Sequence, residues 1–388
     1  MKKAVTLILL AFCASNCLGQ QAWFRFNNLS EKEGLADANI ASVIKDHRGY
    51  MWFASSEGLN CFNGSTCKVY HHLNADSNSL SDDNVNIIFE DSRNNIWIGT
   101  RNGLNLYDTL NDNFIHFFHN EQNAGSVSSN EIWSVAEDHS HTLWIGTMGG
   151  GLNKLMREKS TPASPGKYSF LSFKNDSTQN NSISSNIIWS VAFDKNGYGW
   201  LGTENGLNRF AVANAGDNKI SFVSYLKATS ANSITDNSIW KVYADKANNI
   251  WLLSFYGMLD CLLAEDINTA PAETHFIHVL PLLNKEFKNK NFVILSLLKD
   301  TSDGFWAGTD KQGLLHFNIQ FNNAEHAATI DFSEHFLHDD KDNESLVNNA
   351  VYSLYEDEAG IIWMGTSNGV SKYISQKNLF NSLAFNNN

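Results

Sequence analysis

The chain is poor in proline, in cysteine and in positive charge. Its 388 residues include four prolines and five cysteines. No proline-rich linker and no low-complexity tract divides it, so one continuous domain is expected. Against 41 Asp and Glu stand 28 Lys and Arg, a net charge of −13. A nucleic-acid binder needs a basic face for phosphates, and none is written here; a basic membrane-surface patch is missing as well. Long apolar runs are also missing, with one exception: Ala4 to about Ala14, behind Lys2-Lys3. That run is shorter than the roughly 20 apolar residues of a spanning helix. Its charge, length and flanks read as a secretory signal peptide over 1–19, cleaved before Gln20. The mature chain, 20–388, is therefore expected in the periplasm with no membrane span. Lipid attachment at Cys17 fits poorly, because Ala14 and Asn16 do not suit the usual box. Cys61, Cys67 and Cys261 remain after cleavage. Cys61 and Cys67 flank the turn Asn63-Gly64 and form either a disulfide or small buried thiols; the sequence leaves both open.

What the chain has in quantity is repetition. An Asp stands six positions before a Trp at Asp46/Trp52, Asp91/Trp97, Asp138/Trp144, Asp194/Trp200, Asp245/Trp251, Asp300/Trp306 and Asp357/Trp363. The Trp residues recur every 45 to 57 positions. Such fixed self-similarity marks an array of small supersecondary units. Each unit starts with a β-like run whose third residue before the Asp is always apolar. Three after the Asp comes Gly49, Asn94, His141, Gly197, Asn248, Asp303 or Gly360, residue types that tolerate the positive φ of a tight hairpin. The carboxylate can accept backbone N–H groups inside that turn. The Trp opens a second strand, with an indole to pack on a neighbouring sheet. A Gly-Leu step and a third strand follow, then an amphipathic fourth such as Phe114–Phe118. Four short antiparallel strands repeated seven times predict an all-β chain: a seven-bladed β-propeller of four-stranded antiparallel blades over 20–388. Trp23–Asn27 is expected to supply the outer strand of the seventh blade, with Leu379–Phe385 as the rival. Residues 375–388 read as a tail or the start of a continuation.

The pattern Asp-x-x-Gly-x-x-Trp-x-Gly-Thr-x-x-Gly-Leu, as at Asp194–Leu207 and, with Asn94 in place of the first Gly, at Asp91–Leu104, resembles the two-component regulator propeller repeat. Asp357–Val370 is close to it. The fifth copy departs most, with Leu252-Leu253-Ser254 in place of x-Gly-Thr. The sixth has an extra residue before Gly313. The resemblance implies the periplasmic sensor region of a bacterial hybrid two-component system, in which propellers precede a β-sandwich, a membrane helix and a histidine kinase. Many such sensors in gut bacteria detect oligosaccharides. This sequence shows no kinase or receiver motif, so it reads as a fragment of a longer sensor or a stand-alone relative. The implied partners are an oligosaccharide-like ligand, a second copy in a homodimer, and further sensor or kinase domains.

No catalytic site is expected. His-Glu-x-x-His, a Walker loop and Cys-x-x-Cys are missing. His71-His72, His116 and His119 lack partner spacing, and Gly149-Gly150-Gly151 has no following Lys-Ser/Thr. The acidic run Asp339–Glu344 lacks the ligand spacing of a calcium loop. The seven repeated Asp residues read as turn scaffold. No cofactor and no metal are implied. Function is expected in loops over a rigid frame. One face should present Glu57, Arg101, Met148, Glu204, Tyr256, Lys311 and Ser367. Five positions before each Asp stand Ala41, Asn86, Trp133, Trp189, Trp240, Leu295 and Tyr352. The candidate ligand-binding set is thus Arg101, Trp133, Met148, Trp189, Glu204, Trp240, Tyr256, Lys311 and Tyr352. The three tryptophans either stack on a flat ligand such as a sugar or wedge between blades, and the high average burial of Trp favours the wedge. Two alternatives to a sensor stand: a polysaccharide lyase or glycosidase using Glu204 with Arg101 or Lys311, and a protein-interaction scaffold.

Overall fold

The computed structural model describes residues 26–157, 167–213, 220–286 and 292–374. The signal segment 1–19, residues 23–25 and the whole of 375–388 lie outside the described residues. Every hairpin is organised by its Asp. In all seven units Oδ1 accepts the backbone N–H groups two and four residues on. The residue three after the Asp closes the turn with φ between 61° and 89°. The other oxygen, Oδ2, accepts the indole N–H six residues on, at 2.8–3.3 Å in all seven units. The turn bonds follow from residue type. The indole bond explains why the offset of six never changes.

From these hairpins the first blade is built as β2 (Ile40–Lys45), β3 (Met51–Ser55), β4 (Gly58–Phe62) and β5 (Cys67–Tyr70), in that spatial order. Five more four-stranded blades follow, starting at β6 (Val85–Glu90), β10 (Ile132–Glu137), β14 (Ile188–Phe193), β18 (Ile239–Ala244) and β22 (Ile294–Lys299). The seventh has β26 (Val351–Glu356), β27 (Ile362–Thr366) and β28 (Gly369–Tyr373), and takes its outer strand from β1 (Phe26–Leu29). Phe26 lies opposite Tyr373 and Leu29 opposite Val370. This pairing of the two ends closes the ring and covers an otherwise open sheet edge.

One apolar cluster fills each of the seven seams between blades. The repeat tryptophans are their anchors, all between 0% and 5% exposed. Each buries about 200 Å² of ring, which at about 25 cal/mol per Å² contributes about 5 kcal/mol. The Gly of Trp-x-Gly-Thr sets how closely blades approach. A Cβ on Gly202 would sit 2.6 Å from Ile239 O of the next blade, and one on Gly365 2.7 Å from Ile40 O. Gly202→Ala should therefore destabilise by about 1–3 kcal/mol through overpacking, read as a lower urea midpoint with an unchanged slope; an unchanged midpoint would contradict the close-approach role. In the fifth blade this position is Leu253. There β18 and β22 hardly approach, whereas the six other pairs of adjacent innermost strands pack side by side. The wider seam is filled by Leu253 itself, Phe292, Phe305, Phe317 and Leu280 and Leu283 of a short helix, Leu280–Glu286.

Cys61 and Cys67 are free thiols, not a disulfide. Their hairpin pairs Phe62 with Cys67 and Cys61 with Lys68. The two side chains therefore leave opposite faces of the sheet. Cys61 packs toward the second blade and Cys67 toward the seventh. Burial pushes their pKa up, to about 12 for Cys61 and about 11 for Cys67.

Candidate functional site

Every innermost strand carries a β-bulge at the position five before its Asp: Ala41, Asn86, Trp133, Trp189, Trp240, Leu295 and Tyr352 fall out of the pairing register. A bulge frees a residue from the ladder and re-aims its side chain. Six of the seven, all but Leu295, line a cavity of about 450 Å³ enclosed by the innermost strands. Trp133 and Trp189 are thus channel-lining, half-buried residues and not seam core. Trp240 does both, lining the cavity while packing on the cluster between blades five and six.

The rings form a connected arc. Trp133 and Trp189 meet edge to face at 4.9 Å and 80°. Trp189 meets Phe255 at 5.0 Å and 67°, and Phe255 approaches Trp240 at 6.3 Å. Trp189 donates its indole N–H to Glu204 Oε2 at 3.1 Å, and Ser238 donates to the same oxygen at 2.9 Å. Trp133 donates to Glu131 at 3.2 Å. With their N–H groups engaged, these two indoles offer the channel aromatic surface alone.

The loop positions need a correction of register. In six blades the residue ten after the Asp donates its backbone N–H to the segment leading into the first strand: Arg101, Met148, Glu204, Phe255, Asp310 and Ser367, at 3.0–3.3 Å. Glu57, Tyr256 and Lys311 therefore lie one residue beyond the equivalent Ser56, Phe255 and Asp310. Phe255, not Tyr256, is the ring that joins the aromatic arc, and Tyr256 stands 70% exposed outside it. Asp310 accepts the N–H of Val293 at 2.9 Å, and Lys311 pairs with Asp310 at 3.7 Å. Of the set Glu204, Arg101 and Lys311, only Arg101 lines the cavity. The Met148 backbone ties down the third blade's loop, its side chain half-buried and outside the cavity lining.

Lys241 was overlooked in the sequence. It lines the cavity at a position held by Ser42, Ser134, Ser190, Ser296 and Ser353 in five other blades and by Ile87 in the second blade. Its signal was a Trp-Lys step where blades three and four read Trp-Ser. Burial pushes its pKa down. Arg101 and Lys241 are the cations of the cavity lining, which holds no carboxylate among the described residues.

The remaining motifs serve the frame. His72, His119 and His338 each hold a backbone carbonyl eight residues on through Nδ1, at 2.7–2.8 Å, and so fasten equivalent loops. In the acidic run, Asp339 and Asp342 accept the N–H groups of Lys341 and Glu344, both at 2.9 Å. Gly365-Thr-Ser-Asn-Gly369 matches a nucleophile-elbow lettering, but it is the hairpin between β27 and β28 and no helix follows it. Among the described residues no group of His, Cys, Asp and Glu is placed to hold a metal, and no helix is long and apolar enough to cross a membrane.

The family model of the two component regulator propeller matches residues 79–102, 126–149, 182–205 and 345–368. Each match runs from the loop before an innermost strand, through the Asp turn, to the end of the Trp strand. Four of the seven units match the two component regulator propeller repeat. Over 74 residues it is 31% identical to Histidine kinase P4 of Formosa agariphila, a match covering 19% of this chain and 5% of that protein. Two extracellular domains assigned to two component systems of B. thetaiotaomicron share the repeat architecture. One is 20% identical with a TM-score of 0.67 and covers 91% of this chain; the other is 21% identical with a TM-score of 0.62 and covers 90%. The propeller chain spans 42% and 39% of those domains, under half their length. Streptogramin B lyase has a similar fold at 11% identity and a TM-score of 0.53, covering 92% of this chain and 99% of its own. The repeat thus resembles sensor regions of hybrid two component systems, on a fold that enzymes use as well.

Proposed function

We propose that this propeller is a non-enzymatic sensor module that takes an oligosaccharide-like ligand at the channel mouth, outside the cytoplasm, and reports it to further sensor or kinase domains or to a second copy. The observation that carries the reading is the arc of Trp133, Trp189, Phe255 and Trp240 at the rim of the channel. Flat aromatic surface beside a few fixed polar groups is what a sugar ring needs, and a pre-formed site loses little entropy on binding. The repeat match and the sensor-domain neighbours support the same reading. Glu204 is hydrogen-bonded to its own aromatic rim, which suits a positioning part more than a general acid.

Thermal-shift screening against a panel of oligosaccharides, with reducing-end release measured in the same wells, tests this. A ligand at about 100 times its Kd stabilises the native state by about 2.7 kcal/mol. A saturable rise in melting temperature without product is expected, and Trp189→Ala should weaken the response at least about tenfold, about 1.4 kcal/mol. Product released by the wild type would replace the sensor with an enzyme.

A further inference from the structure

Three of the residues four before each Asp, all serines, clamp adjacent blades together. Ser134 Oγ accepts the N–H of Val191 in the next blade at 2.9 Å, and Ser190 Oγ accepts that of Val242 at 3.1 Å. Ser296 donates to Val351 O, again one blade on, at 3.1 Å. Lys241 holds the corresponding place in the fifth blade and makes no such clamp. Its seam is the one that Leu253 holds open, so the strand a serine would have gripped is not within reach.

One cation in the cavity wall is left without a partner. The Lys241 ammonium, half-buried in the cavity wall, has no hydrogen bond or ion pair among the described residues. A cation taken partly out of water without a partner carries a desolvation cost that an anionic ligand would offset. Arg101 adds a second positive charge to the lining, and no carboxylate in that lining answers either cation. This is a local reversal in a chain of net charge −13. A cavity walled in this way concentrates the field of its cations on whatever enters.

We propose that the channel holds an anion subsite, in which Lys241 and Arg101 receive a carboxylate or sulfate group of a ligand whose ring stacks on the tryptophan arc. The inference rests on the sugar-binding reading above and narrows it to acidic oligosaccharides. Ammonium and guanidinium supply charge-assisted hydrogen bonds to either anion. The tryptophans supply affinity for the ring in acidic and neutral sugars alike. Lys241 supplies the discrimination between them.

Calorimetric titration of the purified chain with trigalacturonic acid, a sulfated galactose trisaccharide and neutral trigalactose tests this. The expected result is at least tenfold tighter binding of one acidic sugar than of the neutral one, and which acid wins identifies the anion. Lys241→Ser restores the residue of five other blades, so the fold should survive, as circular dichroism will verify. It should erase the acidic preference and leave trigalactose binding unchanged, while Trp189→Ala should weaken all three. Equal binding of acidic and neutral sugars, or an acidic preference intact in Lys241→Ser, overturns the anion subsite and leaves the sugar site standing. Absence of binding by all three overturns both.

Discussion

Trp200→Ala should cost about 3–5 kcal/mol, the range for truncating a fully buried aromatic residue. Trp200 is 0% exposed and fills the seam between the fourth and fifth blades with Leu207, Ile239 and Val242. Tyr225 stacks on it at 6.0 Å and 28°. Its N–H reaches Asp194 Oδ2 at 2.8 Å. Truncation empties the seam and also removes a donor from a buried carboxylate. Trp200→Phe keeps most of the ring but loses the N–H, and should cost about 1–3 kcal/mol. The informative comparison is with Trp189→Ala, which removes a half-buried channel ring and should cost clearly less. Urea unfolding followed by circular dichroism measures all three. Equal losses at Trp200 and Trp189 would erase the distinction between seam and channel tryptophans.

Acid should unfold the ring, for a reason located in the same turns. Burial pushes the carboxyls of Asp46, Asp91 and Asp300 up, but their hydrogen bonds outweigh it and hold all three below the usual range. The donors are the Trp52 indole and Arg48 for Asp46, Trp97 and Asn95 for Asp91, and His316 with turn N–H groups for Asp300. Arg157 of the third blade also reaches Asp91 in the second at 2.7 Å, so one turn links two blades. Partial burial likewise pushes Asp112 up, while Lys68, Tyr70 and Tyr107 hold it down to about 2. Because these native pKa values lie below the unfolded ones, the unfolded chain binds more protons in this window. The stability they contribute is complete above about pH 4 and is lost as pH falls through the depressed native values. Unfolding free energies at pH 7, 4 and 3 should fall steeply over the last interval. Asp91→Asn should make that fall shallower. A parallel fall in the variant would place the acid sensitivity elsewhere.

How far the sequence could be read follows from how local each feature is. The Asp turn, its positive-φ residue and the Trp strand are short-range chemistry, so seven blades were visible without any knowledge of which strands meet. The indole bond to Asp was written into the constant offset of six, but only side-chain geometry turns an offset into a hydrogen bond. The bulged positions were legible as a column of residues, Ala41 to Tyr352, because they keep a fixed distance from the Asp. Whether Trp133 and Trp189 faced the seam or the channel was not legible, because bulging redirects a side chain without changing the lettering. The loop column slipped by one at Glu57, Tyr256 and Lys311, since residue identity alone does not say which N–H grips the neighbouring segment. Leu253 stood out as a departure from x-Gly-Thr, yet its effect lies in another blade. Lys241 became conspicuous only against the ring of serines that surrounds it.

The central claim is that the channel mouth is where this propeller meets its ligand. Oxidative footprinting read by mass spectrometry, with and without the oligosaccharide that gives the strongest thermal shift, tests it residue by residue. The account predicts protection of Trp133, Trp189, Trp240 and Phe255, with no change at Leu110 and Met156, exposed side chains on outer parts of the blades. Protection at those outer residues, with the four rings oxidised as in the free protein, would contradict it.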